Sequence, residues 1–316
     1  MIEETTVRFD NRILGTIELP CIKATGRSDG PHLCLIGGVH GAEYSSIAAV
    51  RKFMKTLDVR NLSGRITAIP IASITSFWAR VPFLIPEDGK NLNRCFPGKS
   101  LGTFTEALAY HLFNDVVVGS DYLIDMHGGD MVEALEPFVG YDESPVQDVV
   151  HGMAVAYGVR LILFTQKSER LGEPGTPTML RTAATEAGIP ALLTEIGDRG
   201  QLQPKAVEMH IDGLYGVLRH LKMLPGDSPT AREDQRLVKS LLAVVAKHDG
   251  WWESFVEVGQ PIEAGKEVGV IEDLYGNELE RIAAPADGVF VFLTTSPAVH
   301  AGTLLGGFGT ELEPLR

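Results

Sequence analysis

The sequence predicts an α/β protein: a mostly parallel, mixed sheet flanked by helices, followed by a small all-β domain. Three observations predict it. Apolar runs of strand length alternate with segments of helical apolar spacing up to about residue 221, the pattern of strands and crossover helices. The composition changes at residues 225–233 (PGDSPTARE), which reads as a linker. Beyond it, short β-like runs alternate with glycines. Residues 246–265 can also be laid on residues 284–302, each copy with Asp-Gly early and Ala-Gly late. A pseudo-twofold β sandwich of two similar halves would produce that repeat.

Taken in order, residues 6–9 and 13–19 flank the turn-like Asp10-Asn11 and read as a β-hairpin. Residues 33–37 form a fully apolar strand. Residues 44–57 carry Ile47, Val50, Phe53, Met54 and Leu57 at helical spacing, which suits a helix packed on a sheet. Residues 65–71 read as a second buried strand. The stretch 73–99 is irregular and contains three prolines; loops of that length inside a domain tend to be functional. A helix is expected at 105–118, a strand at 122–126, a helix at 146–157 and a strand at 161–164. Helix 176–186, strand 190–194 and helix 204–221 complete the series. The expected division is a catalytic domain at 1–226 and a β-rich domain at 227–316.

The 316 residues exceed one ordinary core and suit one large domain plus a small one. Hydrophobic residues make up 44% and charged residues 22%, values of a globular protein. A net charge of −13 gives no electrostatic reason to seek nucleic acid or an anionic membrane. An anionic substrate would have to be held by a few local arginines. Cys21, Cys34 and Cys95 are scattered and fit neither a disulfide framework nor a cysteine zinc site. The first residues are polar and acidic, unlike a signal peptide, and no apolar run reaches the length of a membrane span. The cytoplasm is the expected compartment.

The chain is organised around residues 33–43, LCLIGGVHGAE. A strand that stops near His40 and turns into a helix at Glu43 places both side chains at the carboxyl end of a sheet, where open α/β folds bind ligands. Gly37-Gly38 are expected to leave room there for metal and substrate. Alone, His-x-x-Glu also fits a loop histidine beside a helix-capping glutamate. The run Asp125-Met126-His127-Gly128-Gly129 puts a second histidine at a strand end. Alternation sets Asp125 on the same face, where a carboxylate could orient the imidazole or serve as a buried ion-pair partner. His40, Glu43 and His127 together make the donor set of a catalytic zinc, one per chain, with a position left for water. Zinc acidifies water and polarises a carbonyl.

Residues 191–197, ALLTEIG, deliver a single acid, Glu195, at the end of an apolar strand. It could take a proton from water and pass it to a leaving amine, or be an ordinary loop acid. Asn91-Leu92-Asn93-Arg94 offers a clamp, because arginine binds carboxylates bidentately and asparagine adds a directed donor. Without the zinc site it would read as a turn with a surface arginine. Arg80, earlier in the same loop, is a candidate to stabilise an oxyanion and equally fits a surface position.

GGVHGAE, NLNRCFPG, DMHGG and LLTEIG, in that order, resemble the succinylglutamate desuccinylase/aspartoacylase family of the zinc carboxypeptidase-like fold, over roughly residues 1–222. The resemblance implies that His40, Glu43 and His127 match the zinc ligands. It implies Glu195 as the general base, Asn93 and Arg94 as the substrate-carboxylate site, and Arg80 as the oxyanion arginine. The spacing from Arg80 to Asn93-Arg94 is longer than in aspartoacylase itself. The implied reaction is hydrolysis of an N-acyl amino acid to a carboxylate and a free amino acid. NLNR-x-FPG with a compact C-terminal domain looks closer to the bacterial deacylase branch, in which deacetylases of N-acetyl diamino acids are one member type.

The C-terminal region resembles a biotinyl/lipoyl-type barrel sandwich. In carrier versions the hairpin between the halves presents a modified lysine; here residues 273–278 read DLYGNE. A structural role or a rim for the active site is expected instead. The expected partner is a small N-acyl amino acid, without nucleic acid or membrane, and the β domain could supply an interface between copies. Two rivals stand beside this reading: a zinc carboxypeptidase acting on peptide C-termini, and a non-catalytic metal-binding module.

Overall fold

The computed structural model describes residues 1–169 and 177–315. β1 (Ile2–Asn11) and β2 (Gly15–Thr25) form the expected hairpin, paired from Ile2↔Ala24 to Asn11↔Gly15. The turn lies beyond Asn11 rather than at Asp10-Asn11, because the Asn11 side-chain oxygen accepts the Ile13 amide at 2.7 Å and closes an Asx-type turn there. Next come β3 (Ser28–Gly37), α1 (Tyr44–Thr56), β4 (Ser63–Ile69) and α2 (Ile74–Ala79). The long irregular loop thus contains a short helix, and also a 3-10 turn at Leu92–Arg94. α3 (Phe104–His111) runs on into a wider π-helical turn, Leu112–Val117. β5 (Tyr122–His127), β6 (Glu133–Leu135) and β7 (Phe138–Asp142) precede α4 (Gln147–Tyr157) and β8 (Leu161–Thr165). α5 (Leu180–Glu186), β9 (Ala191–Glu195) and α6 (Pro204–His220) follow. The helix expected from residue 176 is thus seen from Leu180 onward; Thr176 itself lies outside the described residues.

The remainder is all β: β10 (Arg236–Val245), β11 (Gly250–Ser254), β12 (Pro261–Ile262), β13 (Glu267–Glu272), β14 (Glu278–Ala283), β15 (Gly288–Thr294), β16 (Ala298–Val299) and β17 (Leu304–Pro314). One large mixed sheet runs β1-β2-β4-β3-β5-β9-β7-β8-β10-β17-β15-β12, with β6 added on β15. Its centre, β4-β3-β5-β9, is parallel. β7 then runs antiparallel to β9, with β8 and β10 parallel to β7. A second sheet, β14-β13-β11-β16, completes the C-terminal region.

Alternation along β3 builds two cores. Leu33 and Leu35 face α1, α4 and α6 through Val50, Phe53, Met153 and Leu214. Cys34 and Ile36 face α3 and α5 through Leu108, Leu180 and Ala184. The central strand is therefore covered on both sides, which explains its uninterrupted apolar run.

The internal repeat has a structural counterpart. In one copy β11 is followed by the short β12; in the other β15 is followed by the short β16. The partners are exchanged: Gly250 pairs with Val299 and Gly288 with Ile262. Asp249 accepts the Ala301 amide at 2.7 Å, and Asp287 accepts the Ala264 amide at 2.8 Å. Each Asp-Gly of one copy is thus tied to the Ala-Gly of the other. Between β13 and β14 the hairpin tip exposes Leu274 and Tyr275 and carries no lysine.

Candidate active site

Three adjacent strands end at one edge of the sheet and deliver the expected residues. After β3 the chain turns at Gly38, in the left-handed conformation with φ +62 that favours glycine, and reaches His40 and Glu43. β5 ends on His127 and β9 on Glu195, paired in register with His127. The glycines do not make room for a ligand. A Cβ on Gly37 would lie 3.0 Å from the Pro70 carbonyl oxygen and 3.1 Å from Val50. One on Gly38 would lie 3.0 Å from Ile71 and 3.1 Å from Ile47. They let α1 and the chain after β4 close on the strand.

Glu43 precedes α1 but makes no side-chain cap, so the capping reading fails. Its Oε1 lies 2.6 Å from His40 Nδ1 and its Oε2 lies 3.0 Å from His127 Nδ1. The opposite nitrogen of each imidazole is engaged. His40 Nε2 is 3.0 Å from Asn91 Oδ1, and His127 Nε2 is 3.0 Å from Asp125 Oδ1. Both oxygens accept, so both Nε2 atoms donate, and both Nδ1 lone pairs converge on the carboxylate. All three groups are buried, and their ligand atoms lie within 4.8 Å of one another. Among the described residues Glu43 Oε2 and His127 Nδ1 make no hydrogen bond. A lone pair facing a carboxylate oxygen needs a cation or a proton between them. Burial would keep His127 neutral, but Asp125 and Glu43 outweigh it and raise its pKa well above the usual range. Burial acts against the Glu43 charge, yet His127 and His40 hold its pKa at about 2. The trio can hold a metal ion, and its donor chemistry fits zinc.

Asn91 Oδ1 also accepts the Asn93 amide at 2.8 Å, which shapes the 3-10 turn. Asn93 is buried; its Oδ1 accepts the Leu180 amide at 2.9 Å, and its Nδ2 lies 3.4 Å from His127 Nε2. Arg94 is exposed and donates to its neighbour's carbonyl, Asn93 O, at 2.8 Å. Glu195 has one carboxylate oxygen buried without a hydrogen bond among the described residues. Burial pushes its pKa well up; His127 opposes this, and Glu43, Glu133 and Asp125 add to it.

A cavity of about 650 Å³ is lined by His40, Glu43, Asn93, Arg94 and Glu195, with the fully buried His127 beside them at the strand end. Arg80 is not brought to it. It caps α2 in a left-handed conformation, exposed, and is not among the lining residues. The guanidinium that sequence reasoning missed is Arg181, buried on α5 and lining the cavity. Its Nη2 lies 3.1 Å from Asp142 Oδ1 and 3.2 Å from Thr165 Oγ1. Its Nη1 lies only 2.4 Å from where a Cβ on Gly140 would stand. Asp130 was missed as well; it accepts the Phe83 amide at 2.8 Å and the Met131 amide at 2.6 Å, joining the long loop to the chain after β5. Glu133 is a further lining acid. The sequence signal for Arg181 was an arginine in a segment of small and apolar residues, LRTAAT, which leaves it no polar face. Glu133, in an acidic loop, carried none.

The model of the succinylglutamate desuccinylase/aspartoacylase catalytic domain matches residues 29–221, well over half the chain. N-alpha-acetyl-L-2,4-diaminobutyric acid deacetylase of Halomonas elongata is 26% identical over 316 residues, covering 97% of this chain and 90% of that protein. Among solved structures, the succinylglutamate desuccinylase/aspartoacylase of Rhodobacter sphaeroides superposes with a TM-score of 0.84 at 24% identity, over 98% of this chain and 95% of the other. The product-bound ectoine utilization protein EutE (DoeB) of Ruegeria pomeroyi gives 0.85 at 21% identity, over 98% and 95%. With the catalytic-domain model matching residues 29–221, the chain belongs to the succinylglutamate desuccinylase/aspartoacylase family.

Proposed function

We propose that the protein is a zinc-dependent hydrolase of small N-acyl amino acids, releasing a carboxylate and a free amine. One observation carries this reading: two Nδ1 lone pairs and a carboxylate converge, each imidazole anchored from behind, beside Glu195, one of whose oxygens is buried without a hydrogen bond among the described residues. His40, Glu43 and His127 would hold the metal. Zinc there would polarise the scissile carbonyl and acidify water. Glu195 takes the proton from water and hands it to the leaving amine; burial makes its carboxylate a stronger base than a solvated one. Arg94 binds the carboxylate next to the amide, and Asn93, its own oxygen fixed by Leu180, directs its Nδ2 donors. Such positioning contributes several kcal/mol to the barrier reduction, on the order of 7 or more when complete. The exposed position of Arg80 gives no support to the oxyanion role, whereas Arg181 lines the cavity.

The reading takes residues 1–226 as the catalytic domain and 227–316 as a barrel-sandwich-like β domain, the latter supported by the exchanged pairing of its two halves. Leu241 and Leu242 of β10 and Phe292 of β15 wall the cavity, which favours small substrates over peptides and so weighs against a carboxypeptidase. No described helix is long and apolar enough to cross a membrane. The three cysteines are unpaired and buried.

Metal analysis coupled to a screen of N-acetyl, N-succinyl and N-formyl amino acids, read by free-amine release, tests the proposal. One equivalent of zinc and turnover of at least one class are expected; absence of both overturns it. Glu195→Gln should keep zinc and lose about 100-fold or more in kcat. His127→Ala should lose the metal, and one equivalent retained would remove His127 from the ligand set.

A further inference from the structure

The two sheets end in edges of very different kinds. The large sheet closes on β12, of two residues, beside the three-residue β6. The second sheet closes on β16, also of two residues, and on β14, whose pairing with β13 slips twice. Short or irregular edges resist pairing with another chain. β1 is built differently. It runs ten residues, Ile2–Asn11, contains no proline, and pairs with β2 without a register shift. Only one of its sides is used. Among the described residues no strand and no bridge pairs with the other side.

The hydrogen-bond phase fixes which backbone groups face that open side. Met1 and Thr25 exchange both backbone bonds, Met1 N donating at 2.6 Å and Thr25 N at 2.8 Å. In an antiparallel pair such exchanges recur at every second residue. The unshifted register therefore points the backbone groups of Glu3, Thr5, Val7 and Phe9 at β2. Those of Ile2, Glu4, Thr6, Arg8 and Asp10 point away from it. The far side of β2 agrees in phase: Gly26, just past its end, donates to Gly64 O at 2.9 Å, so the even-numbered residues of β2 face β4. All five outward residues of β1 have exposed side chains.

A second copy laid antiparallel on this edge must set outward residue against outward residue. A twofold axis at Thr6 does so for all five: Thr6 meets its own copy, Glu4 meets Arg8, and Ile2 meets Asp10. Glu4 makes no ion pair among the described residues. Arg8 lies 2.8 Å from Asp10 and 3.6 Å from Glu18, yet its side chain is 56% exposed. On the opposite face of the strand the same register sets Thr5 against Val7, a β-branched pair. The other registers are worse. An axis at Glu4 or at Arg8 sets that residue against its own copy, and an axis at Val7 sets Glu4 against Asp10. Like charges directly opposite are destabilising. An axis at Thr5 joins no opposite charges and leaves Asp10 without a partner.

We propose that β1 is a dimerisation edge: two copies of this chain pair their first strands antiparallel about a twofold axis at Thr6, with Glu4 of each copy facing Arg8 of the other. The large sheet then runs unbroken through both copies, and the long edge is covered. The hydrolytic reading of the cavity is not needed for this inference.

Sedimentation of the full chain across a range of concentrations tests it. Wild type should reach twice the chain mass. Glu4→Arg and Arg8→Glu each set like charges against one another at both ends of the pairing, and each should weaken association by about 10-fold or more. The double variant Glu4→Arg/Arg8→Glu restores both pairs and should recover association to within about threefold of wild type. Thr6→Pro removes an N–H that β2 does not use, a change tolerated on edge strands, and should leave a monomer. Cross-linking gives an independent readout. Residues opposed in a hydrogen-bonded pair stand about 5.5 Å apart, within the roughly 4.4–6.8 Å that a disulfide spans. Under mild oxidation Thr6→Cys should therefore yield a disulfide-linked dimer, while Glu4→Cys, far from its own copy in this register, should not. The three native cysteines are buried, which keeps the background low. A wild-type chain that stays monomeric, a dimer indifferent to the β1 variants, as one built on the C-terminal β region would be, or a double variant that fails to recover association overturns the proposal. A thermal melt within a few degrees of wild type establishes that each variant is folded.

Discussion

Asn91 shows how much of the site is set one step behind the atoms that converge on Glu43. Its Oδ1 takes the His40 Nε2 proton at 3.0 Å and the Asn93 amide at 2.8 Å. It thereby fixes the His40 tautomer and the turn that carries Asn93 and Arg94. Asn91→Ala should lower zinc affinity by about 10- to 100-fold, measured by competition with a fluorescent chelator; unchanged affinity would mean that His40 is oriented by Glu43 alone. A second residue lies on the other side of β9. His210 is fully buried, its Nε2 donating to Ile196 O at 3.2 Å and its Nδ1 accepting from Tyr157 Oη at 2.9 Å. Burial drives its pKa from an ordinary 6.5 to about 4, against the support of the Ile196 and His127 backbones. The unfolded chain therefore binds a proton between pH 6.5 and 4 that the folded chain refuses. The His210 contribution is whole above pH 6.5 and falls by about 3 kcal/mol on the way to pH 4. Urea unfolding across that range should give a shallower pH dependence for His210→Gln than for wild type; parallel curves would reject it. At this scale the sequence was legible where chemistry forces a residue type at a strand end, as for His40, Glu43, His127 and Glu195. Asn91 acts through the turn it closes, which no spacing reveals, and Arg181 left only the signal of a cation among small and apolar residues.

The strands decide which of those side chains meet. β3, β5 and β9 are neighbours in the sheet and run parallel, so three separate stretches of chain end side by side. The apolar runs announced all three strands, but not their order. β7 was missed altogether. All five of its residues are buried, yet Gly140 and Asp142 break the apolar pattern that marks a buried strand. Both breaks serve Arg181. Residues Leu193, Gly140, Leu163 and Val238 face one another across β9, β7, β8 and β10. The missing side chain in that row leaves the space that the Arg181 guanidinium fills, and Asp142, two residues along the same face, pairs with it. Gly140→Ala should therefore push Nη1 out of its seat and destabilise the fold by about 1–3 kcal/mol. It should also raise KM, because the displaced guanidinium lies on the cavity wall. Denaturant midpoints with an unchanged m-value would register the first effect and steady-state kinetics the second; a neutral substitution on both would mean that Arg181 has another place to go.

Across the whole molecule, the linker composition at residues 225–233 marks where the helix–strand alternation stops, but not where pairing stops. β10 continues the large sheet, with Arg236, Leu237 and Val238 set against Leu161, Ile162 and Leu163 of β8. β15 takes up β6 through Phe292↔Leu135 and its neighbours. A single cluster joins Leu135, Phe138, Leu161, Leu163 and Leu193 to Val238, Val289 and Val291. Composition records a change of local propensity, and it is silent about pairings between strands so far apart in the chain. The energetic consequence can be stated. Cutting the chain after Gly226 would bare the β8 edge and uncover those five large side chains of the first part. Even about 1 kcal/mol each, below the usual 1.5–3 for full burial, amounts to roughly 5 kcal/mol, comparable with the whole net stability of a domain. An exposed edge strand with apolar neighbours also invites aggregation. Residues 1–226 expressed alone should accordingly be insoluble or self-associated. The cavity would lose its Leu241, Leu242 and Phe292 wall, so refolded material should bind metal at most and turn over substrate at least about 100-fold more slowly than the full chain. Sedimentation and free-amine release on the two proteins side by side decide it: a soluble, monomeric and fully active 1–226 would mean that the shared sheet and cluster are dispensable, and that the β region is an appendage rather than a wall of the site.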